Sequence, residues 1–310
     1  MKTKSLGLLI LSTISCISGL MALTAEGNSA GEKIKKEILV INGASNSIKR
    51  FDAVTGKYIG RDIALPSNVS LGTIAVSVNN TIWVPLAGST GVINLNIAGE
   101  KLTSDPRSKI EVAGCWAIAF GPNDQMYAAS TRDKAIYKVD KEGRMTELPS
   151  ANDLKPQNVR SMAIATDGTL FCFDLADRAA GISRILKHDG KKFEQIVKFK
   201  YTNGQLFFSE NQLFACIQGN GLVKIDVETG NKTMIIPAED PLKGNLVGTT
   251  GVTLLPEGDL LIASYTQNGI KRFNLNTLQE VTLKREPFIQ PGAGGLSHPA
   301  TIAIYPVNEK

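Results

Sequence analysis

The most regular unit of this chain is the stretch Met162-Ala163-Ile164-Ala165-Thr166-Asp167-Gly168-Thr169-Leu170-Phe171, in which one short apolar segment leads through a turn into another. Similar apolar segments begin at positions 73, 117, 161, 204, 251 and 301, so successive segments are 44, 44, 43, 47 and 50 residues apart. A period in this range, with several short strands in each unit, predicts a β-propeller rather than a helical solenoid. An open sandwich with evenly spaced strands is the alternative, but it gives no reason for so regular a period.

Each repeat continues in the same way after its first apolar segment. Turns such as Asp167-Gly168 and Glu257-Gly258 supply the positive φ that a tight hairpin needs, so a second strand is predicted to follow. A third strand of alternating apolar and basic residues ends in Asp or Asn, and a short fourth strand closes the unit. We interpret the basic residues of the third strands as solvent-exposed. Clear third strands lie at residues 48–52, 135–140, 222–226 and 270–274.

The two ends of the repeat region determine the number of blades. Five units are complete, whereas residues 37–62 contain the second, third and fourth strands of a unit without its first. Residues 301–304 form a first strand without the rest. Joining the two gives a sixth blade and leaves no sheet edge exposed at the chain ends. The sequence therefore predicts an all-β fold at residues 37–310, a six-bladed β-propeller closed by pairing of the C-terminal inner strand with the N-terminal strands.

The N-terminal segment has the features of an export signal. Lys2 and Lys4 precede a long uncharged and mostly apolar run, which predicts a signal peptide at residues 1–25, a linker at 26–36 and a secreted or periplasmic protein. The uncharged run is also about long enough to span a bilayer, so a retained signal anchor is an alternative. Cys16 follows a segment similar to a lipobox, and its lipidation would also hold the protein at a membrane.

The charge of the chain argues against a nucleic-acid partner. The sequence has 34 Lys and Arg and 29 Asp and Glu residues, a formal charge of +5. Removal of residues 1–25 takes away two lysines and no acids, which leaves +3 (5 − 2). A nucleic-acid-binding protein is expected to gather its basic residues in one stripe, whereas here they are spread over the third strands.

The cysteines do not describe a disulfide framework. Once Cys16 is removed with the signal peptide, Cys115, Cys172 and Cys216 remain, an odd number without regular spacing. Buried free thiols are the expected state, and a bridge between Cys172 and Cys216 is the alternative. A catalytic Cys115 is disfavoured because nothing in the sequence places a histidine beside it.

Candidate functional residues precede the inner strands, at one end of the propeller axis. Aligning the repeats at this position gives a ring of six residues: Gly72, Trp116, Arg160, Asn203, Thr250 and Ala300. An arginine beside an aromatic wall is suited to hold a carboxylate or another anion, so Trp116, Arg160, Asn203 and Thr250 are candidate ligand-binding residues for a small anionic or polar molecule. Alternatively, Trp116 plugs the axis and Arg160 pairs with a nearby acid.

Three residues on the same face are weaker candidates for catalysis. Asp174 and Asp177 lie in the most polar loop of this face, and either could act as a general acid or base if it were desolvated. They are also the acids with which Arg160 would pair. His298 precedes the closing inner strand, but a turn histidine without a partner is more often structural or exposed.

Across residues 37–306 the repeats resemble the six-bladed group that includes SMP-30/gluconolactonase-like and NHL-repeat proteins. In the lactonases of that group the resemblance implies a divalent cation on the axis, held by Glu, Asp and Asn. Here Asn203-Gly204 stands at the Asp-Gly of those proteins, Arg160 stands where an Asn is expected, and Ala300 lies near the expected Glu. No carboxylate remains in the ring, so no metal and no cofactor are predicted.

Three functions remain compatible with the sequence. The favoured one is an exported propeller that binds a small molecule or a partner without catalysis. The alternatives are an SMP-30-like lactonase or hydrolase with a displaced metal site, and a metal-independent cyclase or lyase of the strictosidine-synthase-like kind. Whether the protein is an enzyme is left open by the sequence.

Overall fold

The computed structural model describes residues 35–307 except residues 68–71, 87–89, 151–153, 201–202, 210, 241–243, 246–248, 256 and 278–287. The described residues belong to a compact unit at residues 34–310. They form small antiparallel sheets arranged in a ring, so the predicted six-bladed β-propeller is confirmed. The predicted signal peptide and nearly all of the predicted linker lie outside the described residues.

The blades follow one another along the chain. Blade 1 comprises β1 (Lys35–Asn42), β2 (Ser47–Asp52), β3 (Ile63–Ala64) and the last strand, β24 (Pro299–Val307). Blade 2 comprises β4 (Ala75–Val76), β5 (Ile82–Pro85) and β6 (Val92–Leu95), and blade 3 comprises β7 (Cys115–Phe120), β8 (Met126–Ser130), β9 (Ala135–Val139) and β10 (Met145–Glu147). Blade 4 comprises β11 (Val159–Ile164), β12 (Leu170–Asp177), β13 (Ile182–His188) and β14 (Phe193–Phe199).

Two further blades complete the ring. Blade 5 comprises β15 (Gly204–Ser209), β16 (Gln212–Ile217), β17 (Gly221–Ile225) and β18 (Lys232–Pro237). A two-stranded hairpin follows, formed by β19 (Glu239–Asp240) and β20 (Gly244–Asn245). Blade 6 comprises β21 (Thr249–Leu254), β22 (Asp259–Ser264) and β23 (Gly269–Asn274). Residues 278–287, which follow β23 after three residues, lie outside the described part.

The ends of the ring meet in blade 1 as the sequence predicts. β24 pairs antiparallel with β1, with Val307 opposite Lys35 and Ala303 opposite Leu39. β1 begins at Lys35, two residues before the predicted start, and the outer strand β3 lies just beyond the predicted limit at residue 62. The inner strands β4, β7, β11, β15, β21 and β24 contact one another in this order and close the ring around the axis.

The turns depend on side chains as well as on glycine. Gly168 has a φ of 89°, in the left-handed region, as the Asp167-Gly168 turn requires. Where a third strand ends, the side-chain oxygen of its last Asp or Asn accepts hydrogen bonds from backbone N–H groups two to four residues later. This Asx turn recurs in four blades, at Asp52, Asp140, Asp226 and Asn274.

The hydrophobic core lies between the blades. Every one of the six blade–blade interfaces contains a cluster of buried apolar side chains from the two facing sheets. At the interface of blades 1 and 2, for example, Leu39 and Ile41 pack in the same cluster as Ile82 and Val84. Both faces of each sheet are therefore covered by neighbouring sheets.

The interpretation of the third-strand basic residues as solvent-exposed is wrong in three of the blades. The buried basic residues are Lys49 and Arg50 in blade 1, Arg184 in blade 4 and Lys271 in blade 6, since packing of each sheet on both sides leaves these faces no access to solvent. Arg50 forms a two-bonded ion pair with buried Glu37 at 2.7 and 2.9 Å. Its Nη1 also donates to the carbonyl of Ile97 in the next blade, so this arginine joins two blades.

The cysteines agree with the expectation of buried free thiols. Cys115, Cys172 and Cys216 are buried and form no disulfide with one another, so the alternative Cys172–Cys216 bridge is absent. Burial raises the pKa of the Cys115 thiol to about 12, which keeps it protonated and unreactive near neutral pH.

Among the described residues, no helix has the length and apolar character needed to cross a membrane.

Candidate functional site

An axial cavity of about 130 Å³ opens where the inner strands begin. All six residues of the predicted ring line it, together with Gln205 and Tyr265, which lie outside the aligned ring position. The lining consists of Gly72, Trp116, Arg160, Asn203, Gln205, Thr250, Tyr265 and Ala300. One ring residue of every blade therefore reaches the same cavity, although successive ring residues are 43 to 50 residues apart in the chain.

Four ring residues are positioned by β-bulges. The pairing of inner and second strand shifts by one residue at Trp116, at Arg160 and at Thr250. The same shift occurs at Ala300, where β24 meets β1. A bulge leaves one residue out of the ladder and changes the direction of its side chain. These bulges therefore free one residue at the axis in each of four blades.

The main polar feature of the cavity is a stacked pair. The guanidinium carbon of Arg160 lies 4.1 Å from the centre of the Trp116 ring, in cation–π geometry. In the described part of the chain, no carboxylate pairs with Arg160, and its Nε is buried without a hydrogen-bond partner. Burial and, to a smaller extent, the positive charge of Arg178 lower the pKa of the Arg160 guanidinium. An anion in the cavity would offset both effects.

The ring is asymmetric, which creates the open space. Trp116, Arg160 and Asn203 come from blades 3 to 5, whereas the other half of the ring carries smaller side chains. Gly72 is required by close packing: a Cβ at this position would lie 2.2 Å from the backbone oxygen of Trp116 and 2.6 Å from its indole nitrogen. Tyr265, in the loop of blade 6, faces the cavity from the side of the axis opposite Trp116.

The buried amide of Gln205 lies below the ring and links several blades. Its Nε2 donates to the carbonyl of Gly72 at 3.2 Å and to the hydroxyl of Thr301 at 3.1 Å, and its Oε1 accepts from the backbone N–H of Val252 at 3.2 Å. Related bonds run from Ile118 N to the Thr73 hydroxyl and from Leu206 N to the Ser161 hydroxyl. These side chains satisfy N–H groups that the inner strands expose toward the axis.

The remaining polar side chains of the lining offer both hydrogen-bond donors and acceptors. The side-chain oxygen of Asn203 accepts from the backbone N–H of Gly204 at 3.1 Å, so its amide nitrogen remains available. The hydroxyl of Thr250 donates to the carbonyl of Pro299 at 2.6 Å. Within the part of the chain that the structure describes, neither the Trp116 indole nitrogen nor the Tyr265 hydroxyl has a hydrogen-bond partner.

The candidate acid Asp174 lies outside the cavity lining and has other partners. Its side chain is inaccessible to solvent and pairs with Arg184 at 2.9 Å. It also accepts hydrogen bonds from the backbone N–H groups of Gln157 and Asn158 at 2.8 and 2.7 Å. The alternative in which Asp174 neutralises Arg160 is therefore wrong, because the carboxylate is committed to a different arginine within blade 4.

The other two catalytic candidates lie at the surface. Asp177 is exposed and accepts from the backbone N–H of Ala180, and it forms no ion pair with Arg160. His298 is also exposed, and its ring centre lies 4.5 Å from that of Tyr265. His298 has a positive φ of 54°, and its backbone N–H donates to the side chain of Asn268 at 2.7 Å. His298 therefore supports the position of Tyr265 at the rim without lining the cavity itself.

The described lining offers little to a metal ion. It contains no carboxylate, and among the described residues no group of three or more His, Cys, Asp or Glu side chains is placed to hold a metal. Hard cations such as calcium are bound by carboxylate, carbonyl and water oxygens. The positive charge of Arg160 adds repulsion, so the lining residues do not fit a divalent cation.

Fold and cavity together define a six-bladed β-propeller with a polar axial pocket. No protein-family model matches the chain, and no curated protein matches it. A chain of the nidogen/laminin complex is similar in structure, with a TM-score of 0.66 and 14% identity over 87% of this chain and 98% of that chain.

Two further solved structures have the same fold. A protein of unknown function from Bacteroides caccae has a TM-score of 0.65 and 13% identity over 88% of this chain and 99% of that chain. A gluconolactonase from Xanthomonas campestris has a TM-score of 0.54 and 14% identity over 82% of this chain and 87% of that chain. The expected resemblance to this group is confirmed, and at such low identity it concerns the fold alone.

Proposed function

We propose that this protein is an exported binding protein whose axial cavity holds the anionic group of a small molecule. The observation that carries the proposal is the Arg160 guanidinium, stacked on Trp116 and without an acidic partner among the described residues. A desolvated cation without a counter-ion is costly, and an anionic ligand removes that cost. Export rests on the N-terminal sequence, where the basic residues and apolar run favour a signal peptide.

The arrangement of the cavity supports binding more than it supports hydrolysis. The described lining has donors to hold an anion but no carboxylate that could serve as a general base or a metal ligand. Asp174, the most buried of the acids considered for catalysis, is held in an ion pair away from the lining. These features favour recognition without a chemical step.

Replacement of Arg160 tests the proposal directly. Arg160→Met keeps an apolar stem against Trp116 but removes the charge, and loss of one half of a partly desolvated charged contact costs about 2–5 kcal/mol. We expect acetate and inorganic phosphate, titrated by calorimetry, to bind the wild-type protein and to bind Arg160→Met about thirtyfold or more weakly. Arg160→Lys should restore part of the affinity, because the charge returns without the bidentate fork.

Arg132 provides the matched control, since it is an exposed arginine in the loop between β8 and β9 on the same face. Arg132→Met should leave anion affinity close to that of the wild type. If Arg132→Met and Arg160→Met lost the same amount of anion affinity, binding would depend only on the overall positive charge of this face. Unchanged binding in Arg160→Met, with a lowered melting temperature, would make Arg160 a structural residue and remove the main support for the pocket.

The same lining predicts that calcium does not change the thermal stability of the protein. No anionic side chain of the described cavity offsets the dehydration of the ion, and Arg160 repels it. Millimolar calcium, or removal of divalent ions with a chelator, should therefore leave the melting temperature unchanged. A calcium-dependent rise in melting temperature, or a lactonase activity lost on chelation, would favour the SMP-30-like hydrolase instead.

A further inference from the structure

The hairpin between the second and third strands of blade 4 extends further beyond the axial cavity than the same hairpin in three other blades. Asp174 is level with the ring, because it pairs with Val159 just before Arg160, and across the hairpin it pairs with Arg184. Nine residues, 175–183, lie beyond this pair. The equivalent turns of blades 1, 3 and 6 have only four residues, at 43–46, 131–134 and 265–268.

Arg178 lies at the tip of this long hairpin. It is exposed, and within the described residues its guanidinium has no hydrogen-bond or ion-pair partner. The carboxylate of the preceding residue, Asp177, is used inside the hairpin, where it accepts the backbone N–H of Ala180 at 3.0 Å. The tip therefore presents a positive charge that no described side chain pairs with.

An exposed arginine without a partner is ordinary at a protein surface, but Arg178 lies near Arg160. Its positive charge lowers the pKa of the Arg160 guanidinium, and such an effect requires the two charges to be close in space. Arg160 is itself partly buried and stacks on Trp116. The two cations repel each other, and neither has a counter-ion among the described residues. A ligand that brings negative charge to both removes this repulsion.

The two arginines stand at different levels of the site. Arg160 lines the cavity, whereas Arg178 does not and follows the ring-level residue Asp174 by four residues. Four residues of extended chain span up to about 13 Å. A single small anionic group inside the cavity therefore suits Arg160 alone, and contact with Arg178 needs a second group further out.

We infer that Arg178 is a second binding residue of this site and that the ligand carries two separate anionic groups, one inside the cavity at Arg160 and one outside it at Arg178. This assignment rests on the proposed function, because it takes the Arg160 cavity as the binding site. Linear dicarboxylic acids are the simplest molecules with this chemistry, and their chain length sets the distance between the two charges.

The test is a calorimetric comparison of malonate, succinate, glutarate and adipate with the monocarboxylates of the same number of carbon atoms, at fixed ionic strength. In the wild-type protein we expect at least one dicarboxylate to bind about fivefold or more tightly than its monocarboxylate. The length that binds most tightly measures the separation of the two anionic sites. Inorganic phosphate, which carries its charge on one group, should depend on Arg160 but not on Arg178.

Variants of Arg178 show whether this residue provides the additional affinity. Arg178→Met should remove most of the advantage of the dicarboxylate and change acetate affinity less than about twofold, because an exposed charge acts weakly on a group it does not contact. Arg178→Lys should retain part of the advantage. Arg132→Met is the matched control, since it removes an exposed arginine from the equivalent hairpin of blade 3, and it should leave the dicarboxylate-to-monocarboxylate ratio unchanged. Melting curves show whether each variant is folded.

The outcomes separate the two proposals. The assignment of Arg178 would be overturned if no dicarboxylate bound more tightly than its monocarboxylate, or if Arg132→Met and Arg178→Met lowered the ratio equally. Phosphate binding that depended on Arg178 as strongly as on Arg160 would also overturn it, because one group would then contact both arginines. In these cases the proposed function would stand if acetate binding still depended on Arg160. If no anion bound in an Arg160-dependent way, both proposals would fail.

Discussion

Deletion of residues 298–310 is expected to abolish the cooperative unfolding transition of the protein. The deletion removes β24, the inner strand of blade 1, which pairs along the whole of β1 and contacts the inner strands on either side. Leu39 and Ile41 would lose the covering residues Ala303 and Tyr305, and β1 would become an open sheet edge. Thermal melting should show a broad or absent transition, and size-exclusion chromatography should show aggregates.

Moving β24 from the C-terminus to the N-terminus distinguishes loss of ring closure from other effects of shortening the chain. Val307 lies opposite Lys35 in the antiparallel pair, so a two-residue Asn-Gly turn can join the two residues as a β-hairpin. A chain that begins with residues 299–307, followed by this turn and residues 35–297, should regain a single cooperative transition. The closure would be refuted by a truncated protein that melts like the full-length one.

The second large effect is expected from Asp174→Ala. The mutation removes the carboxylate that pairs with buried Arg184 at 2.9 Å, and it removes the acceptor of the Gln157 and Asn158 N–H groups. Loss of one partner of a buried ion pair typically costs about 3–5 kcal/mol. In a protein of this size that corresponds to a decrease in melting temperature on the order of ten degrees.

Asp177→Ala is the matched control, because Asp177 is an exposed acid three residues further along the same segment. Its replacement should leave the melting temperature close to the wild-type value. Anion binding at Arg160 should survive in Asp174→Ala at temperatures where the variant is folded. If Asp174→Ala were as stable as the wild type but had lost anion binding or an activity, Asp174 would have to be counted as a functional residue.

Much of the architecture could be predicted because it is repeated. The positions of the apolar segments, the Asp-Gly turns and the unpaired strands at the two ends are local features of each repeat, and together they predict six blades and their closure. Alignment of the repeats also predicts which residues meet at the axis, since equivalent positions in a propeller lie at equivalent heights. Arg160 and Trp116 were identified in this way.

Other features could not be predicted because they depend on contacts between distant residues. The burial of Arg50 arises from packing between blades. The sequence permits more than one arginine as the ionic partner of Asp174, and the structure shows that the partner is Arg184. Gln205 follows a glycine at the start of an inner strand, and only the closed ring shows that it bonds to three other blades. Tyr265 lies outside the aligned position, and its loop brings it over the cavity.

By itself, the sequence determined the fold class, the number of blades, the closing strand and the six ring positions, because each is encoded by a pattern that recurs at a regular interval. Only the tertiary structure decided which charged groups are buried, which acid pairs with which arginine, and that Arg160 stacks on an indole and pairs with no carboxylate among the described residues. The physical reason is that burial and ion pairing depend on distances between side chains far apart in the chain, and the packing of the blades sets those distances.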